Sequence, residues 1–195
     1  MMNIGKTLNI MLVLSGFLSV VSCAPLPSRT AHIDRDLPYA LPKKPWTGPG
    51  LTAIQQVELL YEEAVFHLQA VVDLQPGSVK IVLLNFAGNR AIDILWTEDK
   101  LDIAQAKWVP ETVRAQDILA QIVVAFWPAP IAEKGLPSTA KMKQHKSVRK
   151  IMTETETLVV ISYDGDNPWN STTQIDHVKR GVYLKIKSSL AGVSE

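Results

Sequence analysis

The sequence predicts a mainly β protein, in which an antiparallel sheet curls toward a barrel and short helices cover one of its faces. Three observations lead to this class. Apolar and polar residues alternate over most of the chain between residues 64 and 187, which is the pattern of strands with one buried face. Short turns separate these stretches, as expected where consecutive strands pair antiparallel. One segment between residues 110 and 128 has helical spacing instead.

The strands follow from their period of two. Ala64–Gln75 carries an unbroken apolar face and ends at a Pro-Gly-Ser turn. Further strands are predicted at residues 79–86, 90–97, 101–106, 140–144, 148–153, 157–163, 172–178 and 181–187. A sheet of ten or so strands joined by short turns is long enough to curl.

The segment after Pro110 is predicted to be an apolar helix. Pro110 and Glu111 suit a helix start, and Pro128 ends it. Apolar residues lie at helical spacing at Ile118, Leu119, Ile122, Val123, Phe126 and Trp127. A second short helix is predicted at residues 130–136. Because the apolar stripe of the first helix would otherwise meet water, we expect it to pack on the concave face of the sheet.

The first 22 residues have the layout of an export signal. Lys6 precedes an apolar run, Ile10 to Val21, which ends in small residues. A membrane-spanning helix needs roughly 20 apolar residues, and this run is shorter, so a cleaved signal is favoured over a permanent anchor helix.

Cys23, the only cysteine, follows this run directly. Val20-Val21-Ser22-Cys23 resembles the lipobox of bacterial lipoproteins, in which the signal is cut before a cysteine that carries the lipid; a free thiol is the alternative. Six prolines between residues 25 and 49 exclude a helix and a central strand there. We therefore predict a signal peptide at residues 1–22, a lipidated Cys23 with a proline-rich tether at 23–50, and a folded domain at 51–195.

Composition and motifs exclude several classes of protein. The 20 basic residues balance 19 acidic ones, which argues against a nucleic-acid partner. The chain has no Gly-x-Ser-x-Gly elbow, no His-Glu-x-x-His pair and no phosphate-binding glycine loop. Its histidines stand singly and are predicted to be solvated strand residues. We therefore expect no catalytic residue, no metal and no cofactor, and hence a protein that is not an enzyme.

Two stretches resemble an uncharacterised family of bacterial outer-membrane lipoproteins whose genes often lie in aryl-polyene-type clusters. They are Asp117–Pro128, which ends in a Trp-Pro pair, and Ile161–Trp169, which ends in a Pro-Trp pair. The likeness covers nearly all of residues 51–188. This family in turn resembles LolB, the outer-membrane receptor that accepts lipoproteins from the periplasmic carrier LolA. The resemblance implies a LolA/LolB-like half-barrel whose helices cover an apolar cavity.

The same resemblance implies a function and partners. The protein would face the periplasm from the outer membrane, bind an acylated or polyene-tailed hydrophobic cargo, and help receive it or place it in that membrane. Its partners would be the bilayer, through acylated Cys23, the cargo, and a LolA-like carrier. An ordinary core position is the alternative for each residue expected to line the cavity. These residues are Phe66, Leu68, Ile92, Ile94, Trp96, Phe126 and Trp127.

One turn of LolB can be matched residue by residue. LolB has Asn-Pro-Leu-Gly between two strands, and its leucine projects to help insert cargo into the membrane. The corresponding residues here are Asn85-Phe86-Ala87-Gly88, so Ala87 holds the leucine position and Phe86 the proline position. Phe86 and Ala87 are therefore predicted to form a membrane-contact turn with Phe86 as its apolar tip. The alternative is that Phe86 ends its strand and faces the core.

Two other classes of function stay open. A structural envelope lipoprotein would use the same strands around a filled core, and an envelope hydrolase would need a buried polar cluster. An open apolar cavity of several hundred Å³ favours carriage, since small-molecule sites have about that volume. A packed interior favours the structural role.

Overall fold

The structure, a computed structural model, describes residues 30–34 and 36–191. The predicted signal peptide and Cys23 lie outside these residues. The strands that it describes are β1 (Thr30–Asp34), β2 (Leu37–Ala40), β3 (Leu51–Tyr61), β4 (Ala64–Gln75), β5 (Ser78–Asn85), β6 (Arg90–Thr97), β7 (Leu101–Gln105), β8 (Lys141–His145), β9 (Val148–Met152), β10 (Thr157–Asp164), β11 (Thr172–His177) and β12 (Val182–Leu190). Between β7 and β8 lie the helices α1 (Ala115–Phe126) and α2 (Ala129–Ala132), followed by a 3-10 turn at Glu133–Gly135; a second 3-10 turn, Pro168–Asn170, precedes β11.

Ten of these strands form one antiparallel sheet. Its order is β7-β6-β5-β4-β3-β12-β11-β10-β9-β8, and the edges β7 and β8 do not pair with each other. The sheet thus consists of two five-stranded meanders, β3–β7 and β8–β12, joined where the last strand pairs with β3. The predicted fold class is confirmed: the protein is mainly β, with a large antiparallel sheet that is not closed into a barrel.

Contacts across the interior require this sheet to curl. Trp96 on β6 stacks on Trp127 with ring centroids 6.4 Å apart, and Arg149 on β9 donates to the Trp127 carbonyl over 3.0 Å. Seven strand spacings separate β6 from β9 in the sheet order, which in a flat sheet amounts to about 34 Å. Both strands reach the same residue only because the sheet bends around α1.

Helix α1 occupies the concave side of this sheet, as its apolar stripe predicts. It begins at Ala115 and not near Pro110, because Pro110 to Val113 form a turn in which the Val113 N–H donates to the Pro110 carbonyl over 2.9 Å. Its buried side chains are not confined to one stripe, since the sheet covers one side and the β1–β2 hairpin another.

The β1–β2 hairpin corrects the prediction of a tether over residues 30–50. Ala31, Ile33 and Tyr39 are fully buried, and Tyr39 Oη donates to the Ala132 carbonyl over 2.8 Å. Gln121 of α1 donates to the Ile33 carbonyl over 2.7 Å. The many prolines exclude a helix or a central strand, but they permit a two-stranded ribbon. In such a ribbon Pro38, which has no backbone N–H, does not have to donate a hydrogen bond to a second neighbouring strand. The folded body therefore includes the hairpin from Thr30 onward.

Within residues 30–34 and 36–191, no helix is long and apolar enough to cross a bilayer.

Candidate functional site

The seven predicted ligand-binding residues do not line one cavity. Ile92, Ile94 and Trp96 on β6 are buried in the core. Together with Val79 and Ile81 of β5 they fill the space that an open half-barrel would leave under its helices. The remaining four divide between two places, Phe66 and Leu68 at one end of the sheet and Phe126 and Trp127 at the other.

Phe66 and Leu68 belong to an apolar strip that extends the core toward the β3–β4 turn. Leu59 lies opposite Phe66 on β4 and opposite Leu184 on β12, and Val57 lies opposite Leu68. Val57 and Leu59 on β3, and Phe66 and Leu68 on β4, point to the same side of the sheet as the buried Ala53 and Ala70, because each lies an even number of residues from the alanine on its strand. Leu184 points to that side because it pairs with Leu59. None of the five is fully buried, and Phe66 is 48% exposed. The inner face of the sheet thus remains apolar as it emerges into solvent.

Exposed apolar side chains concentrate at this end. In antiparallel meanders alternate turns fall at the same end, so the β3–β4, β5–β6 and β11–β12 turns and the loop after β7 lie together. Among the described residues, eight of the ten exposed large apolar side chains are in or beside these connections; the other two, Ile54 and Leu95, lie farther along their strands. We name this surface the apolar end, and its members are Leu60, Tyr61, Val65, Phe66, Phe86, Trp108, Val113 and Val178.

Phe86 is the most exposed of these side chains, with 91% of its surface accessible. The turn that carries it is fixed by Asn85, whose carbonyl accepts from the Gly88 N–H and whose Oδ1 accepts from the Asn89 N–H, each over 2.9 Å. Gly88 has a positive φ of 79°, which glycine adopts without strain. Phe86 therefore points outward with Ala87 and does not face the core. A cleft of about 540 Å³ beside it is lined by Leu68 and by polar side chains that include His67 and Lys185.

Phe126 and Trp127 line a different cleft, at the opposite end of the sheet. Its volume is about 520 Å³, and the β8–β9 turn and the β10–β11 connection form its rim. The ring of Phe126 lies 4.5 Å from that of Trp169, and the ring of Trp46 lies 5.0 Å from that of Trp127, centroid to centroid. We name this space the aromatic cleft.

Arg149 connects the aromatic cleft to the C-terminal end of α1. Its Nη1 donates to the carbonyls of Val124, over 2.5 Å, and Trp127, and its Nε and Nη2 both donate to Gln144 Oε1. Tyr163 Oη donates to the neighbouring Ala125 carbonyl over 2.6 Å. Side chains of the sheet thus satisfy the last carbonyls of the helix, where a positive charge is also favoured by the helix dipole.

Burial sets the protonation behaviour of this pair. It lowers the pKa of Arg149, an effect that the nearby Tyr163 opposes, and it raises the pKa of Tyr163. An arginine stays charged at neutral pH even so, because its ordinary pKa is above 12. The sequence analysis missed Arg149, although a signal was present: it is two residues from the fully buried Ile151 and so lies on the apolar face of its strand.

The sequence of this chain is similar to one protein family. Residues 52–190 match a family described as "Protein of unknown function (DUF3261)". The chain belongs to this family. The match extends from β3 through β12, so the DUF3261 region contains the whole ten-stranded sheet and does not include the β1–β2 hairpin. No curated protein matches the sequence.

A third cleft of this DUF3261 chain is polar. It has a volume of about 500 Å³ and lies between the β1–β2 turn and the β11–β12 turn. Arg180 Nε is 3.6 Å from Asp34 Oδ1 there, and His177 beside them is only 2% exposed. Burial, the largest cause, lowers the pKa of His177, while Asp34 opposes this. Nowhere in the described part of the chain do three or more His, Cys, Asp or Glu residues gather as metal ligands would.

Proposed function

We propose that this protein is a bacterial outer-membrane lipoprotein that binds a hydrophobic cargo with an acyl or polyene tail, and helps receive it or place it at that membrane. The observation that carries the proposal is the apolar end. A group of exposed large apolar side chains at one end of a protein is typical of a surface that meets a partner or a membrane. Transfer of such a cargo needs no covalent step, so the proposed protein is not an enzyme.

The apolar strip supports the cargo-binding part of the proposal. It runs from the core to Phe66 at the edge of the apolar end, so an acyl chain that entered there would lie against apolar side chains. Burial of apolar area contributes roughly 25 cal/mol per Å². A strip of a few half-exposed side chains would therefore hold a chain firmly enough to accept it and weakly enough to release it.

The position of the chain's N-terminal part supports the membrane assignment. Arg114 Nη2, in the loop that follows β7, donates to the Thr30 carbonyl over 3.4 Å. Only six residues separate Thr30 from Cys23, and they can span at most about 25 Å. A lipid on Cys23 would therefore hold the apolar end near the bilayer.

The resemblance to LolB supports membrane contact by the turn and a carrier as partner. In that receptor an apolar side chain on the corresponding turn enters the membrane, and a LolA-like carrier brings the cargo. Phe86 here offers a larger apolar group than the leucine of LolB, one position earlier. The proposed partners are accordingly the bilayer, the cargo and a LolA-like periplasmic carrier.

The first prediction tests the turn. Phe86→Glu should leave the melting temperature within about 2 °C of the wild type, because the side chain has no core contact to lose. It should reduce binding to lipid vesicles several-fold, since a carboxylate is costly to place among acyl chains. Vesicle co-sedimentation of the mature chain from residue 23 onward with Cys23→Ser, which has neither the apolar signal nor a lipid of its own, measures this.

Leu95→Glu is the matched control, because Leu95 is a half-exposed strand residue on the outer face, away from the apolar end. It should bind vesicles as the wild type does. Equal binding by the wild type and both variants would exclude the turn from membrane contact. Equal losses in the two variants would show that binding depends on general surface hydrophobicity.

The filled interior favours a second candidate, a structural envelope lipoprotein. Ile92, Ile94 and Trp96 pack against other core residues, which is what a protein without cargo requires. Binding of a fluorescent fatty acid distinguishes the two functions. Saturable binding that Phe66→Glu abolishes supports carriage. No binding by the folded wild type supports the structural role.

A further inference from the structure

We propose that the aromatic cleft is a second binding site, one for an acidic amphiphile whose anionic group meets Arg149 and Lys146 and whose ring or chain lies on the aromatic wall. This site is at the opposite end of the sheet from the apolar end. It therefore does not depend on the membrane function proposed above, and the experiments for the two can fail separately.

The charge of Arg149 is the first step. The side chain is only 5% exposed, and no carboxylate of the described residues lies within salt-bridge distance of it. It donates hydrogen bonds to the carbonyls of Val124 and Trp127 and to the Gln144 side chain, which carry partial charges only. Its Cζ also lies 5.7 Å from the centre of the Tyr163 ring, which carries no net charge at neutral pH. Burying a cation without an anion raises the free energy of the folded protein, and a bound anion would reduce this cost by neutralising the charge.

The hydrogen-bond count of Arg149 is the second step. A guanidinium has five N–H groups. Four donate within the described structure: two to Gln144 Oε1, one to Val124 and one to Trp127. The fifth, on Nη2, has no acceptor there, and Arg149 lines the cleft. An oxygen of a carboxylate, phosphate or sulfonate in the cleft would accept from it.

The wall of the cleft is the third step. Phe126, Trp127, Trp169 and Trp46 line this space together with Pro128, so most of its lining residues on this side are apolar. Its volume of about 520 Å³ is in the range of small-molecule sites, about 300–1,000 Å³. A cation beside an apolar aromatic wall fits a molecule with one acidic group and one flat or extended apolar part.

Two exposed charges at the rim allow a test by opposite substitutions. Lys146 in the β8–β9 turn would attract an anion, and Asp166 in the β10–β11 connection would repel it. Anilinonaphthalene sulfonate and the uncharged phenylnaphthylamine share the same fused rings and differ in the sulfonate, so they serve as a matched pair of fluorescent probes. The mature chain from residue 23 onward with Cys23→Ser is titrated with each.

The second prediction is that the sulfonate probe binds saturably and more tightly than the uncharged one. Lys146→Glu should weaken the sulfonate probe about tenfold, because it reverses a charge near the bound anion. Asp166→Asn should strengthen it. Lys143→Glu is the control with the same change in net charge, since Lys143 is exposed on β8 but does not line the cleft; it should change affinity less than twofold.

Three results would overturn the proposal. One is equal affinity for both probes with no response to Lys146→Glu, which would show an apolar surface without anion selectivity. Another is the reverse sign, with Asp166→Asn weakening the probe. The third is loss of probe binding in Phe86→Glu, which would place the probe at the apolar end. Arg149 itself is left unchanged in these tests, because its loss would also remove the partners of the α1 carbonyls.

Discussion

The positions of Ile94 and Phe66 in the fold determine whether their apolar side chains are buried or exposed. Both were expected to line a cavity, and each has one polar and one apolar neighbour on a long strand. Ile94 is 1% exposed, however, and pairs with Ile81 in the layer against α1. Phe66 lies beyond the end of β5, where no neighbouring strand covers it on that side.

The third prediction follows from this difference. Ile94→Ala should lower the free energy of unfolding by about 2–5 kcal/mol, because it leaves a cavity in a packed layer. Phe66→Ala should cost clearly less, although it removes more atoms, since about half of the side chain already meets water. Denaturant unfolding followed by tryptophan fluorescence measures both. Equal costs would mean that the apolar strip is packed as tightly as the core.

His177 gives a prediction about pH. Burial keeps its folded-state pKa below the ordinary value near 6.5, so in acid the unfolded chain binds a proton that the folded chain does not. Stability must then fall as pH drops below about 6.5, by at most about 1.4 kcal/mol per pH unit, until the folded-state pKa is reached.

His177→Gln removes this contribution, and its unfolding free energy should depend less steeply on pH between 6.5 and 5. The comparison with the wild type isolates His177 from the other titrating groups, of which Asp34, Asp176 and Arg180 influence it most. Parallel pH profiles for the two proteins would show that His177 is protonated as easily in the folded state as in the unfolded one.

At the scale of elements, the β1–β2 hairpin is the part whose role the sequence pattern concealed. Its apolar residues do alternate, in Ala31 and Ile33 and again in Leu37 and Tyr39, but each run is too short to stand out among the prolines. In the structure the hairpin covers the side of α1 that the sheet does not reach. It also makes the close approach at Gly135, where a Cβ atom would collide with the Ala40 carbonyl and the Tyr39 ring.

The fifth prediction concerns this hairpin. A chain that starts at Leu51 should not fold to a stable monomer, because α1 would expose side chains that Ala31, Ile33 and Tyr39 now bury. A chain that starts at Ser28 retains the hairpin and should fold. Circular dichroism melting and size-exclusion chromatography compare the two. A cooperative melt of the shorter chain would show that the sheet and α1 suffice.

The strands show where sequence patterning succeeds and where it fails. The nine predicted strands are all present, because most of them alternate between apolar and polar residues and turns bound them in the sequence. β3 was not predicted, and the reason is Gln55, which occupies a core position in the middle of the strand. It is 1% exposed and donates to Ser188 Oγ over 3.1 Å, so a polar pair interrupts the apolar face. Such a pair is recognisable only when both strands are known.

On the scale of the whole molecule, the sequence could predict a curled sheet but not how its interior is filled. Periodicity assigns each residue to a face, and it does not tell whether a facing element covers that residue. Helix α1 and the hairpin together cover one part of the concave face and leave the apolar strip uncovered. The split of the seven predicted ligand residues among core, apolar end and aromatic cleft therefore depended on tertiary packing. The pattern of β9 could have placed Arg149 on the apolar face, but its partners at the end of α1 depended on tertiary packing.

The central position of β12 determines the order in which this chain can complete its sheet. Each meander forms between neighbours in sequence, which is a fast process, whereas the junction must bring Leu51–Tyr61 to Val182–Leu190, at opposite ends of the family region. Until that happens each half has an open edge of unpaired backbone groups, able to join the edge of another chain. A chain that lacks only its final strand would thus lose the middle of the sheet and not its margin, and would present two aggregation-prone edges.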